Sequence, residues 1–175
     1  LVPFAVTTEA CRSVMTEWLG SSWMLPKELN RLGRSTEFTP IYIPFWTFDS
    51  RAVASWRAEV AKQVRRGGET RTEWRWEKGS GNLFFDDLLV QGTNRLSNVL
   101  LNQVRQFNLN NLVPYAPSYL AGIQAQAYDV TLDDGWTQAR TRMRKRTKKA
   151  CQEEASSQRM RNFSMNLDFS EESWR

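Results

Sequence analysis

The densest apolar run of the chain, Thr39-Pro-Ile-Tyr-Ile-Pro-Phe-Trp-Thr-Phe-Asp-Ser50, alternates along its length. Tyr42, Trp46 and Phe48 fall on one face, and Ile41, Ile43 and Phe45 on the other. Both faces are apolar, which predicts a strand covered on both sides. Pro40 and Pro44 share a parity, so their missing N–H groups would mark one edge of that strand as broken, bulged or covered.

Residues 52–64 fit two periods. Ala52, Ala54, Trp56, Ala58 and Val60 alternate against Ser55, Arg57 and Glu59, while Val53, Trp56, Val60 and Val64 also align on a helix. Thr70, Thr72, Trp74 and Trp76 then oppose Arg71, Glu73, Arg75 and Glu77, which predicts a half-exposed antiparallel strand with its charges on the wet face. Arg66-Gly67-Gly68 and Lys78-Gly79-Ser80-Gly81-Asn82 supply turns on either side. Leu83 to Val90 is a second buried segment, interrupted by Asp86 and Asp87.

Helices are expected elsewhere. Thr7 or Thr8 caps one whose Ala10, Val14, Trp18 and Leu19 form a stripe, with Cys11 beside it. Pro26 opens a shorter one with Leu29 and Leu32, stopped by Gly33. Leu96, Val99, Leu100 and Val104 stand at core spacing. After the rigid aromatic stretch Pro114 to Tyr119, residues 120–131 alternate as a strand in which Gly122 permits a bulge. A long helix comes next, from about Asp133 to Met160, with Trp136, Ala139, Met143, Ala150 and Cys151 as its apolar stripe. Phe163, Met165, Leu167 and Phe169 then predict a strand in need of a partner.

The sum is an α+β fold: a mainly antiparallel meander under two or three helices, with one long basic helix towards the C-terminus. At 175 residues a single domain is expected, burying ~70% of the surface its unfolded chain exposes. No apolar run reaches the ~18 residues of a membrane span. Leu1 is not an initiator methionine, which suggests a processed or partial chain. Two isolated cysteines, Cys11 and Cys151, suit buried thiols in a reducing intracellular compartment. The chain contains no histidine, which excludes a Ser-His-Asp triad, a Cys-His dyad and a mixed Cys/His zinc site within it. No metal or cofactor is expected. Eight tryptophans and a net charge of +5 favour large contacts and anionic partners.

Three blocks stand in a fixed order: Tyr42-Ile-Pro-Phe-Trp-Thr-Phe-Asp49, Phe85-Asp-Asp-Leu-Leu-Val90 and Pro114-Tyr115-x-Pro117-x-Tyr119-Leu-Ala-Gly122. Pro3-Phe4, Trp18-Leu19, Pro26, Tyr128 and Gly135-Trp136 accompany them. Up to about Met143 the chain resembles a bacterial family of zinc-ribbon-containing proteins labelled primosomal protein N-prime (replication factor Y)-like helicases. The resemblance implies a strand over residues 52–64 and marks Tyr42, Pro44, Trp46, Phe48, Asp49, Asp86, Asp87, Tyr115, Pro117, Tyr119 and Gly122 as structural motif positions. It implies no motor, because the family lacks one and no GxxxxGK[ST] loop is present here. The family's cysteine-rich zinc ribbon is also absent from this chain.

The strongest chemical signal is Arg140, Arg142, Arg144, Lys145, Arg146, Lys148 and Lys149 on the long helix. At 100° per residue they leave Met143 and Thr147 facing the core, and so dense a run of like charge favours an anionic partner over a merely solvated face. Asp86 and Asp87 point to opposite sides of a strand and read as a hydrogen-bonded bend rather than a catalytic pair. Asp49 reads as a strand-end group bonded to backbone amides. Trp74 and Trp76 read as core packing against helices, with base stacking as the functional alternative, and Tyr115 and Tyr119 as anchors of their connection. The expected role is non-catalytic: an adaptor docking on other protein chains through the basic helix. Nucleic acid is the alternative partner, and peripheral contact with an anionic lipid surface is a further one.

Overall fold

A computed structural model describes residues 1–21, 37–97, 101 and 107–175. The helix expected at Pro26–Gly33 and most of the one around Val99–Val104 lie outside the described residues. Internal contacts divide the chain into two compact units: Leu1–Ile43 with Asn94–Ala127, and Pro44–Thr93 with Tyr128–Arg175. No helix among the described residues is long and apolar enough to cross a membrane.

In the first unit, α1 (Thr8–Ser21) is capped by Thr7, whose hydroxyl oxygen accepts the Ala10 N–H at 3.2 Å. Its expected stripe is largely unburied. Leu19 is covered, while Val14 and Trp18 are exposed. The short strand β1 (Ile41–Tyr42) lies between Pro40 and Pro44 and pairs in parallel with β4 (Gln124–Ala125). The prolines therefore bracket a two-residue strand and divide the expected continuous one. The strand expected over residues 120–131 is likewise reduced to β4, because a 3-10 turn occupies Pro117–Leu120 and Gly122 has a φ of +75°.

The second unit is built on a long hairpin. β2 (Phe45–Arg66) and β3 (Glu69–Gln91) run antiparallel through a two-residue turn, Gly67-Gly68. Both turn glycines have positive φ, +59° and +87°, as the tight turn that matches strand twist requires. β5 (Met160–Trp174) returns antiparallel along the other edge of β2, giving the order β3-β2-β5. The fold is thus α+β with an antiparallel sheet, although β5 lies beside β2 instead of continuing a meander after β3. Residues 52–64 are strand, as expected.

α2 (Leu132–Glu154) covers one face of this sheet. Thr131 and Asp134 cap it reciprocally: the Thr131 oxygen accepts the Asp134 N–H at 3.2 Å, and its hydroxyl donates to the Asp134 carboxylate at 2.8 Å. The helix buries Gly135, Ala139, Met143, Thr147 and Cys151, an unbroken i+4 row. The facing strand offers Ala52, Ala54 and Ala58, small residues that let the two backbones approach. A Cβ on Gly135 would sit 3.0 Å from Trp46 and 3.3 Å from Phe48, so the first helical turn lies directly on the sheet. Phe48, Phe85, Leu88, Val90 and Met143 form one core cluster, and Trp56, Val60, Cys151 and Ala155 belong to a second. The helix ends before the hairpin does. Its 23 residues reach ~35 Å, whereas the 22 residues of β2 extend over ~70 Å.

Candidate functional site

Three β-bulges shape the sheet. The register of β2 with β3 shifts between Phe48 and Ser50, and its register with β5 shifts at Asp49/Arg51 and at Arg57/Glu59. Among the described residues, the non-glycine residues with positive φ, namely Asp87, Asn162 and Glu171, sit at those shifts. Each bulge inserts one residue into the outer strand and reverses the parity of the residues beyond it. Phe85 and Leu88, three apart, can therefore both face the core. The Asp86-Asp87 interruption is the inserted bend itself.

At this bulge Asp49 faces both aspartates. Its Oδ1 accepts the Asp87 N–H at 2.8 Å, and its Oδ2 accepts the Ser173 hydroxyl at 2.9 Å. Asp49 thus bonds a backbone amide as expected, from inside β2 near its start. The Arg175 guanidinium donates to Asp87 Oδ1 at 2.6 Å, an ion pair that raises the arginine pKa. One oxygen from each of Asp49, Asp86 and Asp87 lies within 4.8 Å of the others. Oxygens so gathered suit a hard cation in principle, but both Asp49 oxygens and one of Asp87 already accept protein hydrogen bonds. An amide, a hydroxyl and a guanidinium are no proton relay near neutrality. The cluster holds the bulge and the end of β5 together.

The basic residues of α2 divide by direction. Arg140 makes a bidentate pair with Glu172 at 2.8 and 2.9 Å and lies over the Trp136 ring. Arg142 donates to the Leu89 carbonyl at 2.7 Å. These two tie the helix to β5 and β3. Lys148 lies over Phe163, and Lys149 makes an exposed 3.5 Å pair with Glu153. Arg144, Lys145 and Arg146 are exposed and have no ion pair among the described residues.

The uncovered face of the sheet corrects one expectation. Trp76 lies opposite Glu59 and Trp74 opposite Ala61, on the side away from α2. Trp76 is 59% exposed. The alternating charges Glu73, Arg75 and Glu77 occupy the helix side instead, where Glu77 accepts the Ser156 N–H at 3.0 Å and its hydroxyl at 2.9 Å. The tryptophans lie on the face opposite the one α2 covers, and no second layer packs on that face among the described residues. Arg57 and Arg161 flank the rings at 5.6 and 4.4 Å. A shallow trough beside them is lined by Ser55, Arg57, Lys78, Ser80, Ser164 and Asn166.

The remaining motif positions are structural. Tyr42 packs on Phe4 at 4.7 Å. The Pro44 carbonyl accepts the Gly92 N–H, Trp46 donates its indole N–H to the Val130 carbonyl at 3.0 Å, and Phe48 is fully buried. Pro117 opens the 3-10 turn; Tyr119 is half-buried and Tyr115 exposed. Sequence reasoning missed Arg175, Ser173 and Glu172 as partners. The signal was the doubled acid at Glu171-Glu172, where the tail's alternation slips by one as it does at Asp86-Asp87.

No family description matches the chain, and no solved structure does. Over 147 residues it is 22% identical to the uncharacterized protein YdjG of Bacillus subtilis (strain 168), an alignment covering 82% of this chain and 43% of that protein. The chain therefore spans less than half the length of this relative.

Proposed function

We propose that the chain is a non-catalytic docking module of a larger intracellular assembly, contacting an acidic protein surface through the outward side of α2. One observation carries this reading: Arg144, Lys145 and Arg146 project from a helix fixed along its inner side, and no carboxylate among the described residues answers them. Cations presented by a rigid element lose little entropy on meeting a partner, and their field steers its approach. The resemblance to a zinc-ribbon family supports the same reading, because its members carry this region within longer chains.

Reversing all three residues to glutamate tests it. The wild-type chain is expected to bind an acidic polypeptide such as polyglutamate in a salt-sensitive manner. The triple variant should lose at least tenfold in affinity while its circular dichroism stays unchanged. Equal binding by both proteins would defeat the proposal.

A second reading, nucleic-acid binding, is favoured by the exposed Trp76 ring and its neighbouring arginines on the uncovered sheet face. Stacking on such a ring contributes about 1–3 kcal/mol per base. Trp76→Ala would then weaken single-strand binding by about 5- to 150-fold. Single-strand affinity untouched by that change would remove the reading.

A further inference from the structure

The outer edge of β3 carries a pattern that the fold of one chain does not use. Among the described residues β3 pairs only with β2, and no other backbone bond reaches Glu69–Asn82. In a two-residue hairpin the closing pair, here Arg66 and Glu69, exchanges its backbone hydrogen bonds. The odd-numbered residues of β3 near the tip therefore bond to β2, and the even-numbered ones turn their N–H and C=O groups outward. The partner side of β2 agrees, because Ala61, opposite Trp74, gives its N–H to Arg159 in the opposite direction. Thr70, Thr72, Trp74, Trp76 and Lys78 thus offer an open ladder.

Natural edge strands are protected by charge, usually charge that repels a second copy. This edge alternates instead: Glu69, Arg71, Glu73, Arg75 and Glu77 lie on one face. Against an antiparallel copy of itself the outcome depends on register. Centred on Glu73, every opposition is between like charges. Centred on Trp74, Arg71 meets the partner's Glu77 and Glu73 meets the partner's Arg75, with the twofold equivalents. On the other face Trp74 meets the partner's Trp74, and Thr72 meets the partner's Trp76. Arg71 and Arg75 now pair with Glu69 and Glu73 of their own strand at 3.1 and 2.9 Å. These pairs are exposed, and a cross-strand partner can replace them with little loss.

We propose that two copies of the chain associate edge to edge through β3, antiparallel and centred on Trp74, to form a continuous six-stranded sheet. The charge complementarity of the edge with its own twofold copy selects the occupant and limits the register to centres on even-numbered residues, of which Trp74 alone aligns the whole open stretch Thr70–Lys78 with itself. Opposite charges directly across an antiparallel pair stabilise it, and like charges do the reverse.

Two charge swaps give the test. Arg75→Glu places acid against the partner's Glu73, and Glu73→Arg places base against the partner's Arg75. In sedimentation equilibrium the wild-type chain should reach twice its 20.4 kDa mass as concentration rises, and less readily at high salt. Each variant alone should remain monomeric at the same concentration. An equimolar mixture should recover the doubled mass, because both central oppositions become attractive again. A mixture of Glu73→Cys and Arg75→Cys should also cross-link on mild oxidation, since facing residues of a non-hydrogen-bonded pair lie ~4.5 Å apart at Cα, within disulfide reach. A wild-type chain that stays monomeric at every attainable concentration overturns the proposal. So does a mixture that fails to associate while its components keep the wild-type circular dichroism. Association that survives either swap alone would assign the contact to another surface and overturns it equally.

Discussion

At its root the β2–β3 hairpin buries Phe48, Phe85, Leu88 and Val90 beneath α2, whereas at its tip Lys62, Gln63, Arg65, Arg66 and Glu69 to Thr72 are exposed. The same two strands make both regions, and apart from the bulge at Asp49 they stay paired from Phe45 and Gln91 to Arg66 and Glu69. The difference lies in what covers them. A 23-residue helix matches about half of a 22-residue strand, since the rise per residue is ~1.5 Å in one and ~3.3 Å in the other. Stability is therefore concentrated at the root, and the strands run on uncovered towards the tip.

The comparison breaks most visibly at Phe48. Truncation to alanine removes a fully buried ring between the sheet and Trp136, 4.9 Å away, and is expected to cost about 3–5 kcal/mol in denaturant unfolding. A loss below ~1 kcal/mol would mean that the root is not where the unit is held. Asp49→Ala should come next. It leaves the Asp87 N–H and the Ser173 hydroxyl without their acceptor and is expected to cost about 1–3 kcal/mol. Asp86→Ala, which removes the exposed member of the cluster, should cost much less. Equal effects would show that the bulge is not pinned through Asp49.

How much of this is legible in the sequence differs by region for the same physical reason. Alternation from Ala52 to Val60 places every second residue against α2, and the i+4 positions Met143 and Thr147 face the core as the helical period requires. Trp74 and Trp76 belong to an equally regular alternation, but a period of two fixes only which residues share a face. Assigning tryptophans to the inside assumes a layer to receive them, and which face of the sheet α2 covers is a tertiary fact. The bulge at Asp86-Asp87 is visible only as a slip between two apolar runs. Asp49 of β2 meets it there with Ser173 and Arg175 at the end of β5, which no local spacing announces. The basic run is legible as a helix, but the division of Arg140 and Arg142 from Arg144, Lys145 and Arg146 depends on where β3 and β5 lie.

Trp76→Ala sharpens the comparison from the other end. An exposed ring on the uncovered face of the sheet contributes only its cross-strand contacts, so a change of about 0.2–1 kcal/mol is expected. A loss as large as that of Phe48→Ala would mean that the uncovered face is packed in solution, and would point to a partner there.

The smallest expected effect lies where the two regions meet. Glu77 holds the chain just beyond the end of α2, and the Ser156 N–H, followed by its hydroxyl, lowers the Glu77 pKa. A carboxylate with a lowered folded pKa adds stability above its unfolded value, about 4.3, and loses it as pH falls through the folded value. The advantage of wild type over Glu77→Gln should therefore be present at neutral pH and close on acidification through that window. Arg75 likewise lowers the Glu73 pKa, but through an exposed ion pair that solvent and salt screen, so Glu73→Gln should show a smaller gap or none. If the Glu77 gap persisted unchanged in acid, the shape of the side chain would be holding Ser156. The boundary between root and tip would then be set by packing, with no contribution from charge.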